Sequence, residues 1–439
     1  MVKHYETSLY GTLRHTLVNR KTQTTSGKIT LNNDKAYQTI LGFGGAFTEA
    51  ATYTLNKLSK ANQDKVLKAY FDIDSGLGYN LGRVHINSCD FSLENYSYVE
   101  PYDTELKTFD IAREKQWVIP TIKAAEKIRG GEILLLASPW SPPAWMKSNN
   151  DMNHGGKLKP KYYQTWADYY VRFIEKFSAE DLNIFAISVQ NEPAAVQTWD
   201  SCEYSAKEER DFVKDYLGPT LTSSPYKDVG IVIWDHNRDI VVDRVKVTMG
   251  DEKARAYIWG TGIHWYVSEA FENLTTVHNL YPDKHILFTE GCIEGGVKLG
   301  AFDTAERYAR NMIGDFNNYC EGYIDWNLVL NEMGGPNHVG NYCDAPIIAD
   351  TKRDTVHFNS SYYAIGHFSK HIKPGAKRIE TISEKTDLHH VAFCNPDQSK
   401  VIVIQNESET DQTVELSDKT MTYPCVIKKR SIVTITIEV

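Results

Sequence analysis

Long apolar runs are missing from this chain of 439 residues, and so is any Cys-x-x-Cys pair. A membrane-crossing helix needs about 20 consecutive apolar residues, so no span is expected. The seven cysteines, Cys89, Cys202, Cys292, Cys320, Cys343, Cys394 and Cys425, are odd in number and scattered, without Cys/His zinc spacing. They read as buried small hydrophobes, and neither a metal nor a cofactor is expected. Positive charge is also short: 48 Lys and Arg face 57 Asp and Glu, a formal net charge of -9. That argues against the basic face a nucleic-acid partner would require. The short run Lys428-Lys429-Arg430 reads as a solvated strand edge. The opening residues MVKHYETSLYG lack the apolar core of a secretory leader. A cytoplasmic protein is therefore expected, or a secreted one if a leader precedes this stretch. Gly42-Phe43-Gly44-Gly45 lacks the Lys-Ser/Thr of a phosphate loop and reads as a tight turn with close backbone approach.

What the chain does have is aromatic: 12 % of residues, with 26 Tyr and 9 Trp. Such rings stack on the C–H faces of sugars, although they also fill cores. The most informative stretch is FAISVQNEP, Phe185 to Pro193. A β-branched apolar run ends there in Asn191-Glu192-Pro193, and Pro193 forbids continuation of the strand.

Around it, strands and amphipathic helices alternate for most of the chain. Eight strand candidates stand out: Thr39–Phe43, Leu81–Ile86, Ile133–Ala137, Ile184–Val189, Gly230–Trp234, Gly262–Trp265, His285–Thr289 and Tyr323–Trp326. Helical segments such as Trp166–Phe177 and Ala305–Phe316 separate them. This pattern predicts an α/β fold, a (β/α)8 TIM barrel, over residues 36–372. Beyond it, Val401–Ile404 is a buried-strand run, and Val433, Ile435, Ile437 and Val439 alternate with Thr434, Thr436 and Glu438. These strands, with Lys28–Leu31 before a polar turn at Asn32-Asn33-Asp34, predict a side β-sandwich from residues 1–35 and 373–439.

Catalytic groups of a parallel barrel gather at the C-terminal strand ends. Here those ends carry Glu49, then Arg83, His85, Asn87 and Asp90, then Trp140, and Glu192 on the fourth strand. Asp235 and His236 follow on the fifth, His264 and Tyr266 on the sixth, Glu290 on the seventh and Asp325-Trp326-Asn327 on the eighth. One glutamate at a strand end is often structural. Glu192 and Glu290, on strands facing each other across the barrel, favour catalysis, because inward side chains there can approach to roughly 5 Å, the spacing of a retaining glycosidase. One carboxylate attacks the anomeric carbon and the other donates a proton to the leaving oxygen. The amide of Asn191 could hold the 2-hydroxyl of the sugar. Arg83 and the Tyr266 hydroxyl could keep Glu290 ionised by lowering its pKa. His85, His236 and His264 read as pocket or hydrogen-bonding residues. Spacing alone leaves open which glutamate does which job.

At these residues the chain closely resembles glycoside hydrolase family 30, in its glucosylceramidase (acid β-glucosidase) branch. The matching segments run in order from GFGGAFTEAA through GLGYNLGRVHINSCDFS, SPWSPPAWMK, QNEP, GIHWY, FTEGC and DWNLVLNEMGGPNHVGNYCDAPII to YYAIGHFSKHIKPGAKRI. The resemblance implies a retaining mechanism with Glu192 as acid/base and Glu290 as nucleophile. It implies sugar contacts from Trp140, Asn191, Trp326 and Asn341, with Tyr266 beside the nucleophile; from the strand-end positions, Glu49 and His264 are also expected to bind substrate, with Arg83 and Asp235 supporting. At Glu49 the branch carries Asp, to which it assigns hydroxyls at the non-reducing end. An extra methylene there moves the carboxylate by about 1 Å, enough to change which sugar is held. The expected function is an exo-acting β-glucosidase or β-xylosidase on small soluble β-glycosides or oligosaccharides. A β-1,6-glucanase or other endo-enzyme, and a catalytically silent carbohydrate-binding protein, are the alternatives.

Overall fold

The computed structural model describes residues 1–10, 14–384 and 387–438; Val439, counted above in the last alternating strand, lies outside them. Eight parallel strands close into a barrel in chain order: β1 (Gly42–Ala46), β2 (Leu81–Ile86), β3 (Leu134–Pro139), β4 (Ile184–Ser188), β5 (Gly230–Asn237), β6 (Ile258–His264), β7 (His285–Glu290) and β8 (Gly322–Asn327). β8 returns to β1 with Ile324 opposite Gly44, which completes the ring. Leu81, Leu136, Ala186, Val232, Leu287 and Ile324 form one of its apolar clusters, each fully buried. Helices cover the outside because their apolar residues recur at helical spacing. In Tyr163–Ser178 the buried side chains are Trp166, Ala167, Tyr169, Tyr170, Phe173, Ile174 and Phe177.

The start of the barrel differs from expectation. The strand Lys28–Thr39 runs on through Asn32-Asn33-Asp34, and Ala36 and Thr39 pair with Ile379 and Lys377 in the side sheet. The polar triplet is absorbed as a break in register instead of a turn, because the partner strand Lys377–Ser383 continues on both sides of it. Gly42 to Gly45 is likewise strand β1, not a turn. The close approach is real: a Cβ on Gly44 would lie 2.1 Å from the Leu81 carbonyl oxygen. A three-stranded sheet of Val329–Asn331, Ile347–Asp350 and Thr355–Phe358 follows β8; its strands are too short to show periodicity.

The side domain is one nine-stranded sheet built from both ends of the chain. Val2–Ser8 pairs along its whole length with Ser431–Ile437. Its apolar face buries Ile29, Leu31, Ile402, Ile404, Val414, Leu416, Cys425, Val433 and Ile435 against one another. Fully buried His367, in the helix Ser360–Ser369, joins the sheet to the barrel side. Its two ring nitrogens lie 2.8 Å from the hydroxyl oxygens of Thr434 and Thr7.

Candidate active site

Several strand ends at the barrel mouth leave the extended conformation. Asn87, Glu192, Trp234 and Asp235 have φ of 63°, 48°, 69° and 47°. Non-glycine residues pay about 1 kcal/mol or more for such values, and they persist where the surroundings hold them. The register of β5 on β6 slips between Ile233 and His236, and the Glu192 amide donates to the Asp235 carbonyl at 3.0 Å. This bulge turns Asp235 into the barrel. Gly262 opposite leaves it room, since a Cβ there would sit 3.0 Å from the Asp235 Cα and the Thr289 hydroxyl.

The result is a buried charge cluster. Fully buried Arg83 donates from Nη1 to Glu290 Oε2 at 2.6 Å and from Nη2 to Asp235 Oδ2 at 2.7 Å and Asn191 Oδ1 at 3.0 Å. His264, also fully buried, places Nε2 3.0 Å from Asp235 Oδ1 and Nδ1 3.0 Å from Glu192 Oε1 and 4.0 Å from Glu290 Oε1. Through that shared nitrogen the two Oε1 atoms lie within about 7 Å of each other. This accommodates the roughly 5 Å retaining spacing and falls short of most of the inverting range. The Tyr266 hydroxyl donates to Glu290 Oε1 at 2.9 Å.

Two cations face three carboxyl groups, so the cluster is neutral when one carboxyl keeps its proton. Burial lifts the Glu290 carboxyl above the usual carboxylate range, and His264, Arg83 and the Tyr266 hydroxyl only partly pull it back. The partners expected to keep it ionised are in place, but desolvation is larger. Glu192 is also penalised by burial, yet His236 and His264 outweigh that and hold it low. Burial notwithstanding, Arg83 and His264 hold Asp235 well below its usual range. Burial alone would lower His264; Glu290, Asp235 and Glu192 around it push it up to about 9.

A folded-state value above the unfolded 6.5 means that His264 stabilises the fold fully below pH 6.5 and loses that contribution as pH rises through 9. The loss amounts to about 3 kcal/mol. Thermal melts across this window should show a decline in the wild type that is absent from His264→Asn; parallel curves would contradict it.

A cavity of about 310 Å³ opens above the cluster. Its walls include Glu192, Glu290, Trp140, Asn191, Tyr266, Trp326 and Asn341. Trp140 and Trp326 stack with centroids 5.1 Å apart and planes at 23°. Asn191 spends its oxygen on Arg83, which leaves its NH2 for a ligand. Four other expected site residues do not line the cavity. Arg83, Asp235 and His264 lie beneath it, and His264 reaches the cavity wall only through its contact with Glu192. Glu49 stands behind the wall: Arg113 Nε and Nη2 donate to its Oε1 and Oε2 at 2.8 and 3.1 Å, and the Leu93 amide donates at 2.8 Å.

Where Glu49 is absent, Asp90 faces the cavity, a strand-end residue that sequence reasoning placed at the mouth without a role. Its Oδ2 accepts from Asn337 and Asn341, both at 3.2 Å, and burial with the nearby Glu290 charge lifts it to about 7. Its Oδ1 has no partner among the described residues and is available to a sugar hydroxyl. The ligand atoms of Glu192, His236 and His264 lie within 4.8 Å of one another, a grouping that could hold a cation.

Residues 40–372 match the glycosyl hydrolase family 30 TIM-barrel domain, and residues 375–435 match the family 30 beta-sandwich domain. The chain belongs to glycoside hydrolase family 30. The lysosomal acid glucosylceramidase of Mus musculus is 36% identical over 409 residues, 89% of this chain and 79% of that one. The crystal structure of SrfJ from Salmonella typhimurium superposes with a TM-score of 0.95 at 36% identity, covering 100% of both chains. A solved endo-β1,6-glucanase gives 0.90 at 30% identity, again over 100% of both. This family 30 enzyme is a glycoside hydrolase, and no helix among its described residues is long and apolar enough to cross a membrane.

Proposed function

We propose that this family 30 enzyme is a retaining, exo-acting β-glycosidase on small soluble β-glucosides or β-xylosides, with Glu290 as nucleophile and Glu192 as acid/base. The observation that carries the reading is the pairing of these glutamates across one small cavity walled by stacked tryptophans. The sugar lies on Trp140 and Trp326, with Asn191 Nδ2 on the 2-hydroxyl and Asp90 with Asn341 on hydroxyls further round the ring. Glu290 attacks the anomeric carbon; the leaving oxygen departs with a proton from Glu192, which then deprotonates the water that hydrolyses the glycosyl-enzyme.

The acid/base role requires Glu192 to carry a proton when the glycosidic bond breaks, and His264 Nδ1, 3.0 Å from Glu192 Oε1, is the neighbouring group placed to supply it.

The cavity is near the lower end of the ligand-site range, which favours removal of single residues over binding of an extended chain. A second reading, an endo-β-1,6-glucanase, is supported by the likeness to a solved endo-β1,6-glucanase over the whole chain. Digests of β-linked gluco- and xylo-oligomers of defined length separate the two. Exo action releases monosaccharide from the first time point; mixed intermediate oligomers would overturn the exo assignment.

A further inference from the structure

Cys292 and Cys343, far apart in sequence, meet in the wall of the sugar pocket. Both line the cavity, both are otherwise buried, and neither is in a disulfide. They belong to the same buried apolar cluster, and the backbone bridge of Glu294 with Cys343 brings their segments side by side. Cys292 stands two positions after Glu290, and its Sγ is 3.5 Å from the Tyr266 hydroxyl oxygen. Cys343 stands two positions after Asn341 and donates to the Asn341 carbonyl at 3.8 Å. The two segments already run alongside each other, with the Asp344 amide donating to the Ile293 carbonyl at 2.8 Å and the Gly296 amide to the Tyr342 carbonyl at 2.9 Å.

We propose that Cys292 and Cys343 form a redox-active dithiol that shuts down the pocket when a small-molecule disulfide oxidises it. One cysteine sulfur attacks the small disulfide RSSR, forming a mixed disulfide and expelling one RSH. The second cysteine sulfur then attacks the mixed disulfide, closing the Cys292–Cys343 bond and expelling the other RSH. The two thiol protons leave with the two RSH molecules; the dithiol is oxidised by two electrons and RSSR is reduced by two.

Cys343 and burial push the Cys292 thiol well above its usual range. Thiolate is therefore scarce, and the exchange runs over minutes to hours. A disulfide sets its sulfurs about 2 Å apart, closer than two thiols in contact. Closing that gap draws the segment after Glu290 toward the segment carrying Asn341, and removes a sulfur neighbour from Tyr266. Displacements of about 1 Å at a catalytic centre cost on the order of 100-fold.

The consequence for turnover rests on the pocket being the active site, and the test separates the two ideas. The reduced full-length protein is incubated with glutathione disulfide. Unreduced tryptic peptides are then analysed by mass spectrometry, and activity on aryl β-glycosides is measured before and after dithiothreitol. The expected result is a Cys292–Cys343 cross-linked peptide, a loss of about 10- to 100-fold, and recovery on reduction. Cys343→Val and Cys292→Ala, each compared with its own reduced activity, should lose less than about twofold. The proposal is overturned if no cross-linked peptide forms, if the cross-linked protein keeps full activity, or if Cys343→Val is inactivated equally. Inactivity of the reduced wild type on every aryl glycoside would instead count against the proposed function, while the peptide readout still tests the dithiol.

Discussion

Replacing Glu290 by Gln is expected to lower turnover of aryl β-glycosides by about five orders of magnitude, the scale seen when a covalent nucleophile is removed. At 1.36 kcal/mol per tenfold, that is about 7 kcal/mol of barrier. The isostere keeps the local packing. Its amide oxygen can take the Arg83 contact at the Oε2 position, and the Tyr266 hydroxyl can turn to accept from the NH2. What disappears is the lone pair that attacks carbon. Glu192→Gln should behave differently, because it removes a proton donor and not a bond-forming atom. Glycosides with poor leaving groups should slow by about 10² to 10⁴, whereas dinitrophenyl glycosides should form the glycosyl-enzyme at close to the normal rate. Added azide, which attacks without a base, should then restore turnover of those activated substrates. Full activity in Glu290→Gln would remove the nucleophile assignment, and equal losses for good and poor leaving groups in Glu192→Gln would remove the acid/base one.

The second large effect is on stability. Arg83→Leu deletes the cation that contacts Glu290, Asp235, Asn191 and Ser138 inside the barrel. It also removes a guanidinium 4.8 Å from the Trp140 ring centre. Carboxyl groups left buried without their partner destabilise by about 3–5 kcal/mol. The sign of the pH effect follows. Asp235 is held low in the folded protein, so its contribution is present above the unfolded carboxylate range and fades as pH falls. Without Arg83 that low value rises, so the deficit of the variant should be largest near neutrality and shrink toward pH 4. Denaturant titrations at the two pH values check this, and a deficit independent of pH would mean that lost packing, and not unpaired charge, is responsible.

Much of this site was readable before any coordinates, and the limits have physical causes. Glu192 and Glu290 were legible because an apolar strand ending in a polar residue at a Pro or Gly is a local pattern. Trp140, Asn191, Tyr266, Trp326 and Asn341 came from motifs and do face the cavity. Glu49 does not line the cavity, because strand-end position says nothing about where a flexible side chain finds its partners, and Arg113 lies in a loop that no pattern links to it. Asp90 was visible only as one polar residue among several. The bulge that re-aims Asp235 depends on backbone angles at Trp234 and Asp235, to which an alternating apolar pattern is blind. The opening of the barrel was misplaced because Thr39 to Phe43 is apolar enough for either sheet, and pairing across to Lys377 decides it. Cysteine spacing along the chain could not reveal that Cys292 and Cys343 share one wall of the cavity.

The pairing of Val2–Ser8 with Ser431–Ile437 has a bearing on biogenesis. The first of the described strands receives this partner only when the last of them has been made. Until then one of its hydrogen-bonding edges is open, and an open edge invites pairing with other chains. The charged and polar residues Lys3, His4, Glu6 and Thr7 along it are suited to a long wait in water. The barrel can close during that interval, and the side sheet is sealed afterwards like a clasp, by the contact of greatest sequence separation among the described residues and hence a slow one.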